Sequence, residues 1–158
     1  MHGTGHDGMK GRGAGQVAWA VLAAGALATA GCRSFEKDWT AARSGSLAVD
    51  ARGLSGAWSG TWQNTNNTHG GPLRAVLWRV ADDEYRARFH AGWGTRSGSF
   101  STRLKGGWTN DVFVFSGTRR VFGVPIRTAG RADARRLESG YDSPFDRGTF
   151  TLGRPTAD

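Results

Sequence analysis

One cysteine in 158 residues rules out any disulfide within the chain and makes the place of that residue, Cys32, the first question. Histidine is also scarce: only His69 and His90 follow the first 31 residues. Four prolines against 25 glycines suit a turn-rich all-β chain better than a helical one. Acidic residues are in deficit. Thirteen Asp and Glu against 21 Lys and Arg give a net charge of +8, which reads either as an anion-attracting surface or as a sheet kept soluble by arginine. The longest apolar run, residues 17–30, falls short of a comfortable membrane span.

That run has the make-up of an export signal. Lys10 and Arg12 form a positive start, the apolar stretch follows, and Thr29, Ala30 and Gly31 lead into Cys32. The ending resembles a bacterial lipobox, with Thr29 where Leu is usual. The resemblance implies a signal peptide over 1–31, lipidation (palmitate and related chains) at Cys32, and a membrane anchor in the cell envelope. Arg33 stands where the inner-membrane retention signal of that class is Asp, which points to the outer membrane, facing the periplasm. Met9 opens M-K-G-R-G and is the better translation start; Gly3 to Gly8 matches G-x-G-x-x-G by chance, since no strand precedes it. Removing 1–31 takes away only Lys10, Arg12 and Asp7, so the remainder stays cationic.

Residues 32–56 form the anchor, a short helix and a linker. The helix spans 34–43: Ser34 caps it, and Phe35, Trp39 and Ala42 share the face that packs on the rest. Residues 44–56, rich in Gly, Ser and Ala, read as a loop. From 57 to 155 the period becomes two. Trp58, Gly60 and Trp62 share one side of a first strand, which sets Trp62 against Phe89 and Phe150. In 73–80, both alternating sets are apolar, as when one face meets an interior and the other a helix. Tyr85, Ala87, Phe89, Ala91 and Trp93 oppose Arg86, Arg88 and His90. Further strands are expected at 99–104, 111–116, 120–126, 128–134, 138–142 and 148–152, punctuated at Gly106-Gly107, Ser116-Gly117, Pro125 and Ser143-Pro144. Such a meander closes into a barrel of about eight strands, or alternatively into a β-sandwich.

The opening G-A-W-S-G-T-W, Gly56 to Trp62, resembles the first strand of calycin-type barrels, the lipocalins and avidins, in which Gly-x-Trp packs the closed end. Gly56 to Pro155 is also similar to small bacterial envelope domains with N-x-x-H-G-G-x-L-R, Y-x-A-R-F and D-x-G-T-F-x-L-x-R-P, here Asn66 to Arg74, Tyr85 to Phe89 and Asp146 to Pro155. Neither resemblance implies an active site.

The residues supply none either. Cys32 is consumed by lipidation, no G-x-S-x-G elbow occurs, and His69-Gly70-Gly71 is a loop histidine without a partner motif. Asp82-Asp83-Glu84 is a turn, and Asp142 with Asp146 a capped one, so neither makes a metal site. No catalytic residue, metal or cofactor is expected. Two candidate binding sets remain. Trp58, Trp62, Tyr85, Phe89 and Trp93 line either a cavity for a small hydrophobic or amphipathic ligand or a solid core. Arg86, Arg88 and His90, extended by Arg74, Arg79, Arg119 and Arg120, form a candidate site for an anionic envelope component. An exported, anchored protein rarely meets nucleic acid, so none is expected as partner. A structural or interaction lipoprotein with a filled core is the alternative function.

Overall fold

The computed structural model describes residues 29–156 apart from 49 and 122, so the export segment over 1–28 lies outside the described residues. One helix, α1 (Thr29–Arg43), precedes eight strands: β1 (Gly56–Asn64), β2 (Gly70–Ala81), β3 (Glu84–Trp93), β4 (Arg96–Thr109), β5 (Val112–Val121), β6 (Val124–Ala132), β7 (Arg136–Asp142) and β8 (Arg147–Gly153). Each strand pairs antiparallel with its neighbour in the chain, and β1 also pairs with β8. The meander therefore closes into a calycin-like barrel, not a sandwich, with β1–β8 pairing joining its two ends.

Several boundaries differ from the sequence reading. α1 begins at Thr29, so Ser34 lies inside it rather than at its N-terminal boundary. The expected strand over 120–126 is a hairpin: β5 ends at Val121, β6 starts at Val124, and Gly123 turns the chain with φ of 82°. Gly106-Gly107 and Ser116-Gly117 fall within β4 and β5. At Gly106 the strands approach so closely that a Cβ would fall on the Val114 carbonyl oxygen; the glycine permits the bend a closed sheet needs.

Alternation sorts the side chains. Trp58, Trp62, Leu73, Ala75, Leu77, Tyr85, Ala87 and Phe89 form part of one buried interior cluster. On β2 the opposite face also holds a fully buried residue, Val76, which stays outside that cluster. This is the outer face on which α1 packs, making contacts with β1 to β4. Phe35 is fully buried there, its ring 5.0 Å from that of His90 and 6.0 Å from that of Trp39. Arg74 lies over both aromatic rings and pairs with Glu36 at 2.5 Å, while Arg88 pairs with Asp38 at 2.5 Å.

The two barrel ends differ. Segment 44–55 is a loop, as expected, and it plugs one end. Asp50 accepts from the amides of Arg52, Leu54 and Ser55, and Leu54 is driven fully buried into the interior cluster. Burial works against ionising Asp50, but the Ser55 hydroxyl and amide and the other two amides outweigh it and hold the carboxyl below its usual range. The Trp58 indole donates to the Leu54 carbonyl at 2.9 Å. At the opposite end, the mouth, Ala91, Trp93 and Phe150 are only partly buried.

Candidate functional site

All five candidate ligand or core aromatics point inward, but the axis of the barrel divides them. Trp58 and Tyr85 are fully buried at the plugged end. Around Tyr85 the packing is solid: the Phe113 ring lies at 5.1 Å and the Trp108 ring at 6.4 Å, with Leu77, Leu104, Leu137 and Leu152 filling between. Tyr85 Oη is buried and finds no hydrogen-bond partner among the described residues. Burial, then the Asp50 charge, pushes its pKa up to about 12.

Trp62, Phe89 and Trp93 belong to the mouth half. Trp62 is 8% exposed, stands opposite Phe150 in the β1–β8 register, and donates from its indole to the Gly92 carbonyl at 3.0 Å. Phe89 carries Phe100 stacked at 5.1 Å and Phe150 edge-on at 5.5 Å. Phe100 was not singled out in the sequence. It pairs with Phe89 across β3–β4 and so faces inward, yet it is 49% exposed.

The cause is a parting of the barrel wall. β4 and β5 pair only from Lys105 opposite Ser116 to Thr109 opposite Val112. Beyond that, residues 96–104 and 117–121 face each other without a ladder. A cleft of about 460 Å³ lies there, lined by Arg86, Ser101, Thr102, Arg103, Thr118 and Arg119. Arg119 reaches across the split to donate to the Ser101 carbonyl oxygen. Arg103 pairs with Glu84 at 2.6 Å, and Arg86 makes no ion pair or hydrogen bond among the described residues. The Arg103 hydrogen bond, resisted by some desolvation and aided by Lys105, keeps the Glu84 carboxyl below its usual range.

The candidate anion set is therefore split. Arg86 lines the cleft. Arg88 is engaged by Asp38, and His90 lies beneath Phe35 with Nδ1 2.8 Å from Ser99 Oγ. Of the four extending arginines, Arg74 is held by Glu36, Arg79 by Asp82, and Arg120 turns to the Gly123 carbonyl at 2.9 Å. Only Arg119 joins Arg86. The sequence signal for the new members was the inward phase of Phe100, Thr102 and Leu104; the one for the plug was a lone Leu54 in a Gly- and Ser-rich stretch with Asp50 ahead of it.

Asp142 pairs with Arg147 at 2.9 Å, while Asp146 accepts from Asn64 and from Tyr141 at 3.3 Å. Both stabilise the β7–β8 turn. No group of three or more His, Cys, Asp or Glu side chains suited to a metal occurs among the described residues.

No family model and no curated protein matches the chain. Two solved structures resemble it at 13% identity. Fatty-acid-binding protein 1 of Echinococcus granulosus has a TM-score of 0.33, covering 66% of this chain and 98% of that one. Secretory abundant heat soluble protein 4 from Ramazzottius varieornatus has a TM-score of 0.34, covering 69% and 99%. The calycin-like barrel rests on the closed strand register itself rather than on either likeness.

Proposed function

We propose that this is a bacterial envelope protein, lipid-anchored through Cys32, whose barrel takes up a small amphipathic molecule through the parting between β4 and β5. The apolar part lies along Phe100, Phe89 and Phe150, and the anionic end meets Arg86, Arg103 and Arg119, with the Ser101, Thr102 and Thr118 hydroxyls as further donors. The observation that carries this reading is Phe100, an inward-facing aromatic left 49% exposed on a stack that leads to the interior. A half-exposed ring on an interior face leaves apolar area whose burial contributes about 25 cal/mol per Å². Guanidinium forks match carboxylate and phosphate oxygens, so they supply direction to an otherwise greasy site.

A second reading, a structural or interaction lipoprotein with a filled core, is favoured by the solid packing around Tyr85 and Phe113 at the plugged end. Titration with an anionic naphthalene-sulfonate dye separates the two. The binding reading gives saturable uptake that Phe100→Ser and Arg119→Gln each weaken. Absent uptake, or uptake indifferent to both changes, supports the filled core. Anchoring has its own test: Cys32→Ser leaves the fold intact and releases the protein from membranes, because the acyl chains lose their attachment.

A further inference from the structure

The direction of α1 along the barrel fixes which end an anchor at Cys32 would bring to the bilayer. Phe35 stacks on His90, three residues later Asp38 meets Arg88, and at the helix end Arg43 donates to the Thr156 carbonyl at 3.2 Å. β3 runs from the plugged end at Glu84 to the mouth at Trp93, so falling numbers from His90 to Arg88 lead away from the mouth. Thr156 follows β8, which ends at the plug. The helix thus descends from mouth to plug, and its beginning stands at the mouth. Cys32 lies within α1, three residues before Phe35, a rise of about 4.5 Å. Such a leash is short and continuous with a helix clamped by two ion pairs and a buried ring, so the barrel cannot turn freely about its anchor.

The mouth has the chemistry to meet an anionic surface. Its hairpin tips carry Arg96, Arg120 and Arg147, and at the β7–β8 turn Phe145 is 54% exposed. Both acidic side chains there are engaged within the fold, Asp142 by Arg147 and Asp146 by Asn64 and Tyr141. The turns at the plugged end carry mixed charge: Asp82 and Asp83 between β2 and β3, Asp111 between β4 and β5, and Asp133 with Arg135 between β6 and β7, Asp82 being paired with Arg79 and Asp111 lying 3.9 Å from Arg52. An exposed aromatic among arginines suits the headgroup layer, where a ring buries its apolar body and each basic group near the surface adds attraction that salt screens.

We infer that the mouth of the barrel, through the tips bearing Arg96, Arg120 and Phe145, rests on the anionic bilayer surface, with the plugged end held away from it. The inference rests on the anchoring at Cys32. It also turns the unpaired mouth-side stretches of β4 and β5, residues 96–104 and 117–121, towards the membrane.

The test uses the lipidated protein in phosphatidylethanolamine–phosphatidylglycerol vesicles containing a nitroxide-headgroup lipid. Acylated Cys32 carries no thiol, so Phe145→Cys and Asp83→Cys, both at exposed positions, each give one attachment point for a fluorophore. The ten residues of β3, tilted as barrel strands are, separate the two ends by roughly 25 Å. Several-fold stronger quenching at position 145 than at 83 is expected. Protein bound to vesicles with equal quenching, or stronger quenching at 83, overturns the orientation alone. Protein left in the supernatant overturns the anchor and the orientation together.

Discussion

Arg154 lies over the indole of Trp58, its Cζ 3.8 Å from the ring centroid, and ties the end of the chain to the plugged end of the barrel. Its guanidinium also donates to the carbonyls of Gly53, Ala57 and Ala134. One planar group thus covers the ring and, with a longer bond to the Ser55 carbonyl at 3.4 Å, reaches four backbone acceptors. Arg154→Ala is expected to cost about 1–2 kcal/mol, from a cation–π contact and several carbonyl hydrogen bonds. Arg154→Lys should recover little, because an ammonium cannot lie flat and fork. Denaturant melts of both variants measure this; a lysine protein as stable as the parent would show that charge alone suffices.

Trp62 combines burial with a hydrogen bond to the Gly92 carbonyl. Trp62→Ala should destabilise the barrel by about 3–5 kcal/mol. A melting temperature within a degree or two of the parent would contradict its place in the interior.

Tyr85 makes the opposite case. Its hydroxyl is desolvated near the Asp50 carboxylate without closing a hydrogen bond in good geometry among the described residues, so removing it loses little. Tyr85→Phe should be neutral or more stable than the parent. A loss above about 1 kcal/mol would mean that the hydroxyl is bonded in solution.

These residues also mark how much the sequence disclosed. Period two places Trp58, Trp62, Tyr85 and Phe89 inside because a strand's side chains can only alternate, and two apolar faces on β2 announced the helix that covers Val76. Alternation says which side a group faces, not what else packs there. Arg88 and His90 do point outward, but α1 occupies them. The turn at Gly123 sat in the run Val121-Phe122-Gly123-Val124, apolar enough to read as one strand, and Pro125 drew the break to the wrong place. Nor does periodicity report where two strands stop pairing, so the parting that exposes Phe100 and assembles Arg86, Arg103 and Arg119 was hidden.

The seat of α1 should respond to pH through His90. Burial beneath the helix, then the Arg74 charge, holds its pKa below 6.5, with Glu36 pulling the other way. A base with a depressed folded pKa contributes stability that is complete above the unfolded value and is lost as pH falls through the folded one. Glu36 stays ionised over that range, held below its usual pKa first by the Arg74 hydrogen bond. The protection of amides in residues 35–43, taken against their intrinsic exchange rates at each pH, should therefore fall between pH 7 and pH 5, on the acid side of about 6.5. In His90→Phe this dependence should disappear. Persistence of the same profile in that variant would assign it to another group.

Ligand entry at the β4–β5 parting is tested most directly by photolabelling with an alkyl phosphate that carries a diazirine on its chain. After irradiation, mass mapping of peptides should find the label on residues 97–104, around Phe100, and on Phe89 or Phe150. Excess unlabelled alkyl phosphate should compete it away, and Arg119→Gln should reduce it. Label spread evenly over the outer surface, or confined to the α1 face and untouched by competitor, would contradict uptake through the parting and leave the barrel as a filled scaffold.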